Sequence, residues 1–221
     1  MSVISGGSRS IRDVQTGNAA FKTTGWTSTG DSATFTELDN SGGGISLAHG
    51  TDNEGATIRY GGEIFDFGDV GCRCVVRGRF KYTVASADGG GFYLGFTDTA
   101  TSDVITDSDA MASQDAIGIF RATNSAFFRT TALNAAAESG ETTTTALASG
   151  TEYAFRIEIE GLTAGLTIRF YVDNVLIDTV TGFAYASFGP ELELAAAIKV
   201  KGTVANTLEI YQLEVSHRAM S

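Results

Sequence analysis

Two cysteines one residue apart, followed by a run of basic residues, are the part of this sequence whose residue types could do chemistry. Residues 71–84 read GCRCVVRGRFKYTV. Paired thiols can bind a metal or take part in a redox reaction, and clustered cations can meet an acidic partner. With the two-residue period of a strand, Cys72 and Cys74 share one side. The basic residues share the other side: Arg73, Arg77, Arg79 and Lys81.

The cysteine spacing argues against both a disulfide and a zinc site. Residues i and i+2 of a strand lie about 6.6 Å apart with parallel Cβ vectors, which is a poor geometry for a bridge. A structural zinc needs four ligands, and the chain offers only His49 and His217 besides the thiols. The sequence therefore predicts that Cys72 and Cys74 are buried, reduced core residues.

The basic row leaves two interpretations open. Four like charges on one strand face repel each other unless acidic groups meet them. Neighbouring strands could supply these groups, at about 0.2–1 kcal/mol for each pair: Glu158, Glu160, Glu209 and Glu214. The face is then either internally paired or a contact patch for an acidic partner. Nucleic acid is disfavoured, because no aromatic residues interleave there and the chain carries a net charge of −11.

No catalytic or metal-binding motif is recognised. The chain lacks a phosphate-binding loop, a nucleophile elbow and a His-Glu-x-x-His segment. The carboxylate pairs Glu158/Glu160 and Glu191/Glu193 match the polar side of ordinary strands better than a hydrolase site. The acidic run 98–115 suggests calcium but lacks the order of a calcium loop. We expect a protein that is not an enzyme, with no cofactor and no bound metal.

The remaining pattern is that of an all-β protein. Its 221 residues include 27 glycines and one proline, and the glycines separate short segments rich in Val, Ile, Phe, Tyr and Thr. YAFRIEIEG and ELELAAAIKVKG alternate apolar and polar residues, which indicates half-buried antiparallel strands. We predict one two-sheet antiparallel β-sandwich of roughly ten to fourteen strands over residues 18–221. SDAMASQDA and ALNAAAESG are expected to form short helical turns, and SGETTTTALASG an edge strand.

Several of these segments resemble a known family in their order. They are FKTTGWTSTGDSATFTE with Phe21 and Trp26, GRFKYTV with GGGFYLGFTD, LTIRFYVDNVLIDTVTG, and the closing NTLEIYQLEVSHR. In the third, Asp173 and Asn174 suit the positive-φ positions of a type I′ turn. This order resembles the concanavalin-A-like jelly roll of legume lectins, laminin-G domains and family-16 glucanases. No functional residue of that family has a match here, and the glucanase run Glu-x-Asp-x-x-Glu is missing.

Two further segments are candidates for contact with a partner. Residues 1–17 carry Gly, Ser, Arg9 and Arg12 and are predicted to be a flexible arm that docks on a neighbouring subunit or on a capsid surface. The segment TGFAYASFGPE offers Phe183, Tyr185 and Phe188 with no charge before Glu191. Phe183 and Tyr185 are expected to form a subunit contact around a threefold axis, whereas Phe188 either joins them or turns into the core.

Function is inferred by elimination and by resemblance. The N-terminus has no apolar signal-peptide core and the chain no membrane span, so a protein made in the cytoplasm is expected. Short acidic jelly rolls of this composition resemble tailed-phage capsid decoration proteins. We expect a virion structural protein that binds itself and the major capsid protein or another virion protein. The alternative is a lectin-like carbohydrate-binding module, and a glycoside hydrolase is the third interpretation.

Overall fold

Alternating apolar and polar residues produce strands along most of the chain. The computed structural model describes residues 8–13, 26–31, 34–38, 44–60, 65, 67, 70–86, 89–98, 104–106, 111, 115–123, 125–134, 137–139, 142–184, 192–202 and 205–218. Within these ranges it contains sixteen β-strands and no helix. The described residues therefore contain no helix that is long and apolar enough to cross a membrane.

The first of two sheets is built around the C-terminal strand. Its strand order is β14 (Val175–Phe183), β13 (Gly165–Val172), β12 (Glu152–Leu162), β6 (Arg73–Val84), β16 (Asn206–Arg218), β4 (Ile45–His49) and β3 (Thr34–Glu37). A further strand, β1 (Ser8–Asp13), pairs with the end of β16 that β4 leaves open. Every one of these pairs is antiparallel.

The second sheet has the same size and is also antiparallel. Its order is β10 (Ala137–Ser139), β9 (Phe127–Asn134), β8 (Ala116–Arg121), β7 (Gly90–Thr97), β15 (Glu193–Val200), β5 (Gly55–Tyr60) and β2 (Trp26–Gly30). The Thr-rich β11 (Thr142–Ala146) pairs with β9 at the edge. The predicted two-sheet sandwich and its Thr-rich edge strand are confirmed. The described residues form sixteen strands rather than the ten to fourteen predicted, because short segments such as β3 and β10 also pair.

The main core lies between the two sheets and is rich in aromatic rings. Phe80 of the first sheet lies 5.0 Å from Phe92 of the second sheet, centroid to centroid, and 6.2 Å from Phe128. All three rings are fully buried. Removal of this apolar surface from water is the dominant stabilising term for such a sandwich.

The central strands of the second sheet are buried on both faces, which differs from the half-buried strands that the sequence predicts. β7 and β8 are buried at every position. A second apolar cluster covers the outer face: Tyr93, Val104, Ile105, Met111, Ala116, Phe120, Ala122, Leu133, Ala195 and Ala197. Alternation places Lys199 on a solvated face, but this residue is 2% exposed, and its Nζ donates to the Asn53 carbonyl over 2.6 Å. Residues from the 104–111 region thus form a partial third layer.

The two predicted helical turns are wrong where the structure describes them. In ALNAAAESG, β9 and β10 pair antiparallel with Asn134 opposite Ala137. In SDAMASQDA, Met111 forms an antiparallel bridge with Ile105, and Ala116 begins β8. Strand pairing overrides the high helix propensity of alanine in both places, because tertiary contacts outweigh local propensity.

Part of the predicted N-terminal arm belongs to the first sheet. Ser8–Asp13 forms β1, in which Arg9 lies opposite His217 and Arg12 opposite Glu214. The strand that pairs with Arg9 and Arg12 is therefore β16 of the same chain, not a strand of a neighbouring subunit. The rest of residues 1–17 lies outside the described residues, and docking of the arm on another subunit or on a capsid stays a prediction.

Candidate functional site: the outer face of the first sheet

The two cysteines belong to the core, as predicted. Cys72 and Cys74 are 0% and 1% exposed and are not bonded to each other. The Cys72 thiol donates a weak hydrogen bond to the Phe67 carbonyl, with 3.7 Å between sulfur and oxygen. Burial, and secondarily the nearby Cys72, raises the pKa of the Cys74 thiol well above its usual value. A thiol held protonated in this way is a poor nucleophile and a poor metal ligand.

The four predicted basic residues meet four glutamates on the strands that flank β6. Arg73 contacts Glu160 at 2.6 Å, and Arg77 contacts Glu214 at 2.8 Å. Arg79 pairs with Glu152 and Lys81 with Glu209. The internally paired interpretation is confirmed for these residues. Three of the glutamates are among those predicted, whereas Glu152 is not, because the sequence does not align the start of β12 with β6. Contact of this row with an acidic partner stays a prediction.

The same pairing extends to the strands beyond β6. Arg156 lies 3.2 Å from Glu158, and Arg169 lies 3.7 Å from Glu160. We call this surface the paired face: Arg73, Arg77, Arg79, Lys81, Arg156, Arg169, Glu152, Glu158, Glu160, Glu209 and Glu214. With six basic and five acidic members it is close to neutral, whereas the whole chain carries −11.

Two half-buried tyrosines lie among these charges in matching environments. The Tyr171 hydroxyl donates to Glu158 over 3.2 Å, and the Arg156 guanidinium carbon lies 4.0 Å from the ring centroid. The Tyr211 hydroxyl donates to Glu209 over 3.0 Å, and Lys81 Nζ lies 5.9 Å from that ring centroid. Each ring thus has a cation near its face and a carboxylate at its hydroxyl.

The contacts among Tyr211, Glu209 and Lys81 also shift the pKa values of Tyr211 and Lys81. Partial desolvation raises the pKa of Tyr211, and the hydrogen bond to Glu209 adds to this while Lys81 opposes it. Hydrogen bonds to Glu209 and then to Tyr211 raise the pKa of Lys81. Neither tyrosine is among the site residues predicted from the sequence. The sequence feature that could have identified Tyr171 is the alternation in LTIRFYV, which places this tyrosine on the polar side of the strand with Arg169.

The acidic candidates are also held by other groups. Glu158 and Glu160 are engaged in the ion pairs described above, and Glu193 pairs with Arg59 at 3.1 Å. Glu191 lies outside the described residues. In the acidic run, the Asp115 amide donates to Asp98 Oδ1 over 3.1 Å, while Asp103, Asp107 and Asp109 are not described. Within the described part of the chain no group of three or more His, Cys, Asp or Glu residues could hold a metal ion.

The predicted aromatic contact does not include Phe183. This residue is 7% exposed and belongs to the core between the sheets. The physical reason is a register shift: Thr181 lies opposite Thr167, but Phe183 lies opposite Leu166. Gly182, at φ +70°, is the extra residue that turns the next side chain inward. Tyr185 and Phe188 lie outside the described residues.

Comparison with known proteins identifies the fold but no family. No family model matches the sequence, and no curated protein matches it. The structure is similar to the carbohydrate recognition domain of Emp47p (TM-score 0.63, 14% identity, 95% of each chain). It is similar to peanut lectin (0.59, 12%, covering 97% of this chain and 98% of that one). It is also similar to arcelin-5, a lectin-like defence protein of Phaseolus vulgaris (0.61, 7%, 89% and 93%). The fold is therefore the lectin-like jelly roll expected from the sequence.

Proposed function

We propose that this protein binds carbohydrate through the paired face and catalyses no reaction. The observation that carries the proposal is the pair of half-buried tyrosines, Tyr171 and Tyr211, each flanked by a cation and a carboxylate. A tyrosine ring offers an apolar surface to the C–H side of a sugar, while its hydroxyl and neighbouring charged groups can serve the sugar hydroxyls.

The shape of the face favours an extended ligand. Tyr171 lies on β13 and Tyr211 on β16, and two strands, β12 and β6, separate them. Three strand spacings of roughly 4.8 Å place the two tyrosine-bearing strands about 14 Å apart. Arg77, Arg79 and their glutamates occupy the interval. We infer that the ligand is an oligosaccharide lying across the strands rather than a single sugar in a pocket.

Two proteins of the same fold support this assignment by their described activities. One is called a carbohydrate recognition domain and the other a lectin. Their low identity to this chain carries the fold only, so the choice of face rests on the tyrosines and not on those proteins.

A glycan array followed by calorimetry tests the proposal. The wild type should bind at least one oligosaccharide class, and Tyr171→Ala and Tyr211→Ala should each weaken binding about tenfold, which corresponds to about 1.4 kcal/mol. Thr179→Ala, an exposed position on β14 of the same sheet, is the matched control and should bind as the wild type does. An array without binding, or affinity that neither tyrosine variant changes, would refute the proposal.

A reducing-sugar assay tests the proposal that the protein catalyses no reaction on its ligand. Incubation of the protein with any oligosaccharide that it binds should release no new reducing ends. Release that Glu158→Gln or Glu160→Gln abolishes would show instead that the carboxylates of the paired face hydrolyse the ligand.

The expected virion role stays a prediction. None of the similar structures named above is a virion protein. Mass spectrometry of purified virus particles would detect the chain if it is a decoration protein, together with the capsid protein expected as its partner.

A further inference from the structure

The ion pairs of the paired face place their cations outward. In each of these pairs the basic side chain is more exposed than its glutamate. The Arg73 side chain is 70% exposed against 25% for Glu160, and the Arg77 side chain is 59% exposed against 12% for Glu214. A ligand that approaches from solvent therefore meets cations before it meets carboxylates, although the face as a whole is close to neutral.

Three arginines surround one small residue near the middle of this face. Ala154 on β12 lies opposite Arg79 on β6, and Arg156, two positions further along β12, lies opposite Arg77. Directly opposite positions on one face of a sheet have Cβ atoms about 5 Å apart, and diagonal positions are about 7–8 Å apart. Long arginine side chains at these positions reach the space above Ala154. We call them the arginine cluster: Arg77, Arg79 and Arg156.

The arginine cluster includes two like charges directly opposite each other, which is an unfavourable arrangement in a sheet. The two guanidinium groups turn apart: Arg77 bonds to Glu214 on β16, whereas Arg156 lies over the Tyr171 ring on β13. The strip of surface between them is flanked by a cation on each side. A negative group placed there would offset the repulsion.

The carboxylates nearest to this space are already engaged. Glu152, two positions before Ala154, pairs with Arg79. Asp173 Oδ1 accepts a hydrogen bond from the Ala154 amide over 2.9 Å. A guanidinium group has five N–H donors, and one glutamate uses only part of them. Since ion pairs at an exposed surface are also weak, a ligand anion can share these arginines with their glutamates.

The arginine cluster lies on the path between the two tyrosines of the paired face. Arg156 is opposite Tyr171 on β13. Arg79 is opposite Gln212, the residue that follows Tyr211 on β16. An oligosaccharide that contacts both tyrosine rings therefore passes over the arginine cluster.

We propose that the oligosaccharide bound by this protein is acidic, and that the arginine cluster holds one of its carboxylate or sulfate groups above Ala154. Guanidinium groups suit this task because their planar fork of N–H donors matches an oxyanion. This inference rests on the proposed function and adds to it the chemical class of the sugar.

Calorimetry with matched charged and neutral ligands tests the proposal. One pair is oligogalacturonate and the same oligosaccharide with its carboxyl groups methyl-esterified, and the other is a dextran oligosaccharide with and without sulfate groups. The wild type should bind the charged member of at least one pair at least about tenfold more tightly, because the neutral member loses the charge-assisted hydrogen bonds. The pair that shows this preference distinguishes carboxylate from sulfate. Added salt should reduce the preference.

Two substitutions locate the charged group. Arg77→Gln should reduce the preference for the charged ligand about tenfold, because one charged donor is lost. Ala154→Glu should abolish it, since a carboxylate of the protein then occupies the same space, and should raise the midpoint of thermal unfolding by meeting the arginine cluster. The matched control is Arg59→Gln, which removes an ion-paired arginine of the second sheet and should keep the wild-type preference.

The outcomes separate this inference from the proposed function. A wild type that binds charged and neutral sugars equally, or neutral sugars alone, would overturn the acidic class while carbohydrate binding stands. Absence of binding to every sugar would refute both. A preference that survives Ala154→Glu would place the anion elsewhere, and equal binding of polyglutamate would show a general acidic-partner surface; either result would also overturn the inference.

Discussion

Tyr93 fills a space that a glycine leaves open on the outer face of the second sheet. A Cβ at Gly118 would lie 2.4 Å from Tyr93 Cε2 and 2.8 Å from the Leu94 carbonyl oxygen. The Tyr93 hydroxyl donates to the Phe96 carbonyl over 2.6 Å, so the ring is fixed at both ends. The sequence shows this only as a glycine within a strand, which is normally a weak position.

Replacement of this glycine should therefore be costly. Gly118→Ala forces the buried ring or the backbone of β7 to move, and we expect a loss of about 1–3 kcal/mol in the free energy of unfolding. Gly50→Ala is the control, because its nearest neighbour beyond the adjacent residues would be 3.8 Å away. Urea denaturation of both variants is the measurement. Equal stability of the two would show that Tyr93 and Gly118 do not pack as described.

At the scale of elements, the hairpin of β13 and β14 depends on two residues with left-handed backbone. Asp173 and Asn174 have φ of 49° and 64°, as a type I′ turn requires, so the predicted turn is confirmed. The turn is also tied to β12, because the Asp173 amide donates to the Ala154 carbonyl over 2.8 Å and Asp173 Oδ1 accepts from the Ala154 amide over 2.9 Å. The residue types of the turn and its hydrogen bonds to β12 therefore favour the same backbone conformation.

The second turn position should tolerate glycine and reject a β-branched residue. Asn174→Val should lower the free energy of unfolding by about 1–2 kcal/mol, because a β-branched side chain is strained at positive φ. Asn174→Gly should leave it unchanged or slightly raised. Thr179→Val, at an exposed position in the middle of β14, controls for added β-branched surface. Urea denaturation separates the three, and a valine variant as stable as the glycine variant would contradict the turn assignment.

At the scale of the whole molecule, buried phenols couple stability to alkaline pH. Burial raises the pKa of Tyr82 and of Tyr93 well above the usual value, and partial burial raises that of Tyr211. Since each pKa is higher in the folded than in the unfolded chain, the unfolded chain releases protons first as pH rises. The native state is therefore favoured below about pH 10 and loses that advantage as pH climbs toward the folded pKa values.

We expect the free energy of unfolding to fall between about pH 9 and pH 11, and the phenolate absorbance of the native protein to rise later than that of the protein in guanidinium chloride. Tyr82→Phe should reduce this alkaline loss, because it removes one of the late-titrating groups. Its hydroxyl has no hydrogen-bond partner within the described structure, so the substitution itself should cost little at neutral pH. Identical titration of native and unfolded protein would contradict the burial of these side chains.

The amino-acid sequence by itself determined what depends on neighbouring positions along the chain. Alternation in β6 and β12 assigned each side chain to a face, and with it the burial of Cys72 and Cys74. Asp173 and Asn174 predicted their turn because few residue types accept positive φ. These properties are local, and a strand period or a backbone preference acts within a few residues.

The tertiary structure alone decided what depends on distant segments becoming neighbours. The partner of Arg79, the covering of the central strands of the second sheet and the edge position of β14 follow from strand order and register. One bulge at Gly182 reversed the side of Phe183, because the pairing of β14 with β13 shifts there. A shift of one residue exchanges the two faces of a strand, and only pairing with a neighbouring strand sets that shift. For the same reason, the grouping of Tyr171 and Tyr211 on one face with their cations and carboxylates depends on the placement of β12 and β6, the two strands between β13 and β16.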